Sequence, residues 1–522
     1  MLRARKLTCP PVRWCRLSAL SLPLLLAACA TQPLSLPQEP AAATVSPTSV
    51  VLFISDGASF ETWNLAGYWA RGERDGAPWS DWPIQLGMTT YPLNTSETPI
   101  MDAIPRVSYD PALAWSTAPV PPDETRFPAI VPGAPDMVYP SPIAGYQWLR
   151  QNYTDSAAGA TALATGVKTF NNAIAVDNFG RKLRIVTDDA RDAGLATGVV
   201  TSVPFSHATP AAFAAHSLDR DDYHGIARQM IFGERLDVIA GAGHPYHDHD
   251  GRRRETPDYL GRVAEYLWVG AEEWEALETG SAPRRLFDTH SDIQALADGS
   301  LTLSEPWIAV APVNAALQLL RNRAVAGRDP SKLSGVAFTP DMPDLATLSL
   351  AALNHLEQNP LGFFLMIEGG AVDWAAHLNS TPLLIEEQLD FEAAVAATLD
   401  WLRQRNRLDS TLLIVATDHG NGLPLGPDSD TIPWQAIENP GQGRLPEVRW
   451  HSNNHTNEIT RLWATGPGSE CLDGFVVGID SGLRDIIGHN DDGRYIDNTA
   501  IAPVIRAAFE GGPCPVPTGN RH

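Results

Sequence analysis

Short apolar runs that end abruptly in polar residues recur along the chain: VVLFISD (50–56), TGVVTS (197–202), LDVIAGAG (236–243), GFFLMIE (362–368), TLLIVATD (411–418) and RLWATG (461–466). Between them, apolar positions recur at helical spacing in PLLIEEQLDFEAAVAATLDWLRQR (382–405) and APVIRAAF (502–509). Near-continuous apolar strands alternating with helices predict an α/β fold, a mostly parallel central sheet with helices on both faces. Ligand sites in such sheets form beyond the carboxyl ends of the strands. Asp56, Glu368 and Asp418 fall at those ends.

Residues 73–150 break the rhythm. They hold 14 of the chain's 43 prolines and several tryptophans with no sustained period, which predicts a long, loop-rich insertion packed over the sheet. Residues 421–454 and 467–494 are rich in Gly, Asp, Asn and Pro and read as loops near the site. No internal repeat is visible. The predicted organisation is a signal peptide (1–28), a tether (29–48), one α/β domain (49–512) with insertions at about 73–150 and 421–494, and a short tail (513–522).

Composition refines this picture at the N-terminus. Arg3, Arg5, Lys6, Arg13 and Arg16 precede the short apolar stretch SALSLPLLLAA, the layout of an export signal. Leu26-Ala27-Ala28-Cys29 resembles a bacterial lipobox, with Cys29 becoming the lipid-bearing first residue. The Pro/Ala/Ser/Thr-rich segment after it suits a tether. The expectation is an exported protein anchored by lipid to a bacterial membrane, facing the periplasm or cell surface. Past this segment no apolar run approaches the ~20 residues of a membrane span. With 44% hydrophobic and 19% charged residues, the rest reads as globular. Removing residues 1–28 takes away five basic and no acidic residues, so the charge moves from −23 to −28. That surface argues against nucleic acid and anionic headgroups as partners, although bound cations reverse the field locally. Beyond Cys29 only Cys471 and Cys514 remain, enough for one disulfide in an oxidising compartment and too few for a cysteine zinc site.

The candidate chemistry lies in four segments. Asp56 ends an apolar strand, where a carboxylate must be solvated, paired or metal-bound. In IEGGAVDWAAH, Asp373 and His377 are four apart and share one helix face, while Gly369 and Gly370 leave Glu368 at the crevice. Asp418 and His419 converge only if the strand ends there, and Gly420 allows that. His455, in NNHTNE, adds an imidazole at the same edge. Neutral imidazoles with carboxylates suit zinc. Asp56, Asp373, His377, Asp418, His419 and His455 provide ligands for two sites with open positions, and two close zinc ions serve displacement at phosphorus. In TDSAAGATALATG (154–166), Asp155 is placed to cap a helix whose first turn carries Ser156. The small residues behind it let the helix lie close under the metals.

These blocks, D-S-A-A-x-A-T-A, E-G-G-x-x-D-x-x-x-H, T-D-H-G and H-T-N-E, resemble the bacterial alkaline phosphatases from about residue 50 to residue 510. The resemblance implies that Ser156 is a phosphorylated nucleophile, that Asp373, His377 and His455 hold one zinc and Asp418 and His419 the other, and that Asp56 bridges to a third, magnesium-like site. Thr209 and Glu368 match ligands of that third site, and Arg220 matches the arginine that clamps two phosphate oxygens. His207 and Trp374 stand around this third site. Trp374 departs from the Lys or His common elsewhere, and it lacks their water-mediated reach to phosphate. The ligand-rich HPYHDHD (244–250) reads as an exposed loop rather than a metal site. The expected activity is hydrolysis of phosphate monoesters with two Zn2+ and one Mg2+, and the reading is compatible with a homodimer. Alternatives are a diesterase or sulfatase of the same superfamily, or a non-catalytic metal-loaded lipoprotein. The Ala-Ala-Gly-Ala after Ser156 lacks the sulfatase motif, and an intact Ser156 and Arg220 have no use in metal storage.

Overall fold

The computed structural model describes residues 49–516 apart from 75, 122–125, 129–137, 141, 256–257, 260–261 and 264–266. The expected signal peptide, tether and Cys29 lie outside the described residues. Eleven strands form the main sheet: β1 (Ser49–Ser55), β2 (Ile84–Thr89), β3 (Ala196–Pro204), β4 (Val238–Ala242), β5 (Arg285–Phe287), β6 (Trp307–Val310), β7 (Phe363–Gly369), β8 (Thr411–Ala416), β9 (Thr460–Thr465), β10 (Gly478–Ile479) and β11 (Arg494–Asp497). Their spatial order is β10-β11-β2-β9-β8-β1-β7-β3-β4-β6-β5. From β8 to β5 all pairings are parallel. The antiparallel β9 then joins β8 to β2, and β10 runs antiparallel to β11 at the far edge.

Strand β1 shows why these runs lack polar alternation. Val50, Leu52 and Ile54 point into the core on one face, and Val51 and Phe53 into the core on the other. The first core receives α2 (Ser156–Thr165) and α6 (Ile501–Glu510). The second receives α1 (Thr62–Arg71), α3 (Leu345–Leu356) and α5 (Thr381–Gln404). A strand covered on both faces needs apolar residues at every position. The short helix α4 (Ala371–His377) leaves the end of β7 directly. Among the described residues, no helix is long and apolar enough to cross a membrane.

The six predicted strands and both predicted helices are present at nearly the expected bounds. Residues 73–150 carry more than an insertion, because Ile84–Thr89 within them is an interior strand, between β11 and β9. The loop-like segment 467–494 likewise contributes β10 and begins β11. Cys471 and Cys514 are bonded, with Cα atoms 5.1 Å apart across 43 positions of sequence, which ties the end of α6 to the segment after β9. Closing a loop of that length stabilises by up to about 4 kcal/mol. Peptide mapping of non-reduced, alkylated protein should show the two cysteines joined, and Cys471→Ser/Cys514→Ser should lower the unfolding free energy by up to that figure. Two freely alkylated thiols would contradict the bond.

Candidate metal centre and nucleophile helix

The register places the site. Ile54 pairs with Glu368 on one side and Ala416 on the other, so the chains leaving β1, β7 and β8 emerge side by side. Asp56, Glu368, Asp418 and His419 are fully buried there. Beyond β8 the chain turns back: Gly420–Asn421 pairs antiparallel with His455–Thr456, and Asn421 opposite His455 carries that imidazole over the strand ends. Two close approaches require glycine. Gly57 has φ +66°, and a Cβ there would lie 2.5 Å from Asp373 Oδ1. A Cβ on Gly159 would lie 2.8 Å from the Asp418 carbonyl oxygen. Helix α2 is buried on every side, so its small residues are the means by which it lies against the Asp418 turn.

The ligand atoms converge in two groups. Asp373 Oδ2 lies 3.3 Å from His377 Nε2, and Asp373 Oδ1 lies 3.4 Å from His455 Nε2. His377 Nδ1 donates to the Asn453 carbonyl at 2.8 Å, and His455 Nδ1 to the Thr154 carbonyl at 2.9 Å. Protons fixed on Nδ1 aim the Nε2 lone pairs forward. The two Nε2 atoms are 3.1 Å apart, a separation that needs a cation or a proton between them. In the second group, His419 Nε2 is 3.2 Å from Asp418 Oδ2 and 3.5 Å from Asp56 Oδ1. Asp56, Asp418 and His419 ligand atoms, and those of Asp373, His419 and His455, lie within 4.8 Å of one another. His419 therefore stands between the groups. Its ring stacks on His455 with centroids 3.7 Å apart.

Electrostatics favour cations here. Burial, reinforced by Asp418, Asp373 and Glu368, holds Asp56 well above the usual carboxylate range. Burial pushes Glu368 up to about 7 and Asp418 to about 6. Burial and then His455 hold His419 well below the usual imidazole range, in the neutral form that ligates. Asp56 Oδ1, Glu368 Oε1 and Asp418 Oδ2 are buried with no hydrogen-bond partner. Orphaned carboxylate oxygens beside the neutral imidazole of His419 fit divalent metal. Around Glu368, Thr201 Oγ1 donates to Oε2 at 2.5 Å, while Thr209 Oγ1 lies 3.5 Å from Asp56 Oδ2. That oxygen set suits a harder cation.

Asp155 caps α2 through Ala158 N at 2.9 Å. Ser156 Oγ lies 3.1 Å from His419 Nε2. Arg220 Nη1 donates to Asp155 Oδ2 at 3.0 Å, so the arginine is held at the N-terminus of the Ser156 helix. His207 is buried, with its ring centroid 5.6 Å from that of Trp374, and burial followed by the Arg220 charge lowers its pKa to about 3. The HPYHDHD segment departs from expectation. His244 and His247 are buried rather than exposed, because His244 N donates to the Val313 carbonyl and its ring packs 4.6 Å from Trp274. Among the described residues, no metal-competent cluster of three includes them. Sequence reasoning missed Asn421, whose Nδ2 donates to Asp373 Oδ1 at 2.7 Å, and Thr201. Their signals were the polar residue directly after D-H-G and a hydroxyl near the end of an apolar strand.

Two outcomes follow. In an ordinary helix Gly→Ala stabilises by about 1 kcal/mol; Gly159→Ala should instead lower Tm and weaken zinc uptake, because its methyl must displace the Asp418 turn. A raised Tm with unchanged zinc affinity would refute this packing. The second concerns pH. A carboxyl whose folded pKa is raised lends stability below its unfolded value and loses it as pH rises through the folded value. With Glu368 at about 7 and Asp418 at about 6, the rise in Tm on adding zinc to chelated protein should grow from pH 5 to pH 8. A zinc effect that shrinks over that range would contradict the carboxylate assignment.

A family model described as alkaline phosphatase matches residues 144–433, more than half of the chain. Alkaline phosphatase 4 of Bacillus subtilis (strain 168) is 33% identical over 279 residues, covering 52% of this chain and 50% of that protein. The chain thus spans about half the length of this curated relative. The alkaline phosphatase of the Antarctic bacterium TAB5 shares the fold at 20% identity with a TM-score of 0.54, covering 89% of this chain and 99% of that one. A variant of the TAB5 enzyme, solved with magnesium bound, has a TM-score of 0.52 at 20% identity, covering 90% of this chain and 99% of its own. The chain belongs to the alkaline phosphatase family.

Proposed function

We propose that this chain hydrolyses phosphate monoesters through a phosphoserine on Ser156. The observation that carries the reading is Ser156 Oγ at the N-terminus of α2, 3.1 Å from His419 Nε2 and beside both ligand groups. Asp373, His377 and His455 would hold one zinc, Asp418 and His419 with Asp56 the other, and Asp56, Glu368 and Thr209 a magnesium, the metal bound in the TAB5 variant. Bound there, the metals would supply Lewis acidity that favours the serine alkoxide and neutralises the leaving oxygen.

The remaining steps belong to the chain. Asp155 takes the Ala158 N–H with its side chain and the Gly159 N–H with its carbonyl, so the Ser156 and Ala157 N–H groups have no acceptor within the helix. They and the dipole end favour an anion beside Ser156. Arg220, fixed by Asp155 through one nitrogen, keeps donors for the equatorial phosphate oxygens. Ser156 Oγ gives its proton to water and forms a bond to phosphorus as the bond to the alcohol oxygen breaks, and that oxygen takes a proton from water. A water oxygen then bonds to phosphorus as the Oγ–P bond breaks, Oγ takes back a proton from that water, and inorganic phosphate is released. Export, the lipid anchor at Cys29 and a homodimer complete the proposal, with support from the N-terminal sequence for the first two. No observation favours a diesterase, and the Ala-Ala-Gly-Ala after Ser156 disfavours a sulfatase.

Ser156→Ala removes one oxygen and no ligand. It should keep its zinc and fold while losing at least ~10³ in rate on a monoester. Retention of more than about a tenth of the wild-type rate would overturn the phosphoserine reading.

A further inference from the structure

Away from the site, Ser429, His451 and Asp430 form a serine–histidine–aspartate constellation. Ser429 Oγ lies 2.8 Å from His451 Nε2, and His451 Nδ1 lies 4.0 Å from Asp430 Oδ1. Ser429 and His451 are both fully buried, and Asp430 at 4.0 Å from His451 Nδ1 is beyond hydrogen-bond distance, so the set lacks the orienting carboxylate of a nucleophilic triad. Tyr146 closes over it: its ring lies 4.4 Å from the His451 ring, and its hydroxyl donates to the Ser429 carbonyl at 3.1 Å.

The constellation holds a stretch of chain. His451 stands between two short ladders. Pro424–Leu425 pairs with Arg449–Trp450 on one side, and Gly420–Asn421 with His455–Thr456 on the other. The backbone N–H groups of His451 and Ser452 both donate to the Gly422 carbonyl. Ser452 Oγ donates to the Asn454 carbonyl at 3.0 Å, and Asn454 Oδ1 accepts from His455 N at 2.8 Å. The Asn453 carbonyl accepts from His377 Nδ1. Within four residues of His451, then, this segment supplies one imidazole ligand and the carbonyl that orients another. Residues 426–448 leave the first ladder and return to it. Ser429 on the outgoing limb grips His451 on the returning one, and Asp430 pairs with Arg449 at 2.9 Å.

We propose that the buried Ser429–His451 pair is a clamp that positions the 451–455 loop. It sets the zinc affinity of the Asp373–His377–His455 group and bears less on that of the Asp56–Asp418–His419 group. Neither clamp residue touches the metal; both act through the loop. The inference rests on the zinc reading of the two groups.

The test uses the full chain, stripped of metal and titrated with zinc against a chromophoric chelator, with cobalt(II) spectra as a second readout. Wild type should show two sites. In Ser429→Ala one of them should weaken by about 10- to 100-fold, the usual effect of losing an orienting partner, and the cobalt bands of that site should change. Ser429→Thr, which keeps the hydroxyl, should restore both readouts, and His451→Phe, which removes the partner nitrogen, is a second variant that should weaken the same site. Two sites of wild-type affinity in Ser429→Ala and His451→Phe would overturn the clamp, as would equal weakening of both sites. A wild-type chain that takes up no zinc would instead overturn the reading of the groups themselves.

Discussion

Four carboxylates, those of Asp56, Glu368, Asp373 and Asp418, are buried together where three parallel strands end. In a dry interior such a set is held together by positive charge or by protons, and the surrounding structure is arranged around that demand. The apolar strands carry the acids to one edge. Gly57 lets Asp373 approach the end of β1, and Gly159 lets the serine helix press on the Asp418 turn. Three imidazoles face the acids, two with their far nitrogens occupied by carbonyls. An anion-rich cluster in an acidic protein admits an anion only through cations, and Ser156, the N-terminus of α2 and Arg220 stand beside it.

Much of this was legible in the sequence, because the local signals were strong. Runs such as VVLFISD and TLLIVATD end in the acids they deliver, and a strand buried on both faces has no alternation to obscure it. The D-S and D-x-x-x-H spacings by themselves single out Ser156, Asp373 and His377. The misses have a common cause. Ile84–Thr89 lies in a proline-rich stretch and is a strand only because β9 and β11 pair with it. The two-residue β10 is too short to carry a period. His244 and His247 looked like an exposed loop, and distant Val313 and Trp274 bury them. Asn421, Thr201 and the Ser429–His451 pair act across long sequence separations, which a linear pattern does not record.

The site thus divides into what the chain writes locally and what the fold assembles. Ligand identities are local. Ligand orientation depends on the carbonyls of Thr154 and Asn453, on Asn421, and on ladders that fold the chain back over the sheet edge. Substitutions that leave every candidate ligand in place would still disturb metal binding by moving these supports.

The central claim is that cations occupy the convergence of buried acids and imidazoles. Anomalous X-ray diffraction at the zinc edge, on crystals of the purified protein, tests it most directly. The account predicts two peaks, one among Asp373, His377 and His455 and one among Asp56, Asp418 and His419. A folded, zinc-supplied protein with no anomalous density between those side chains would contradict it.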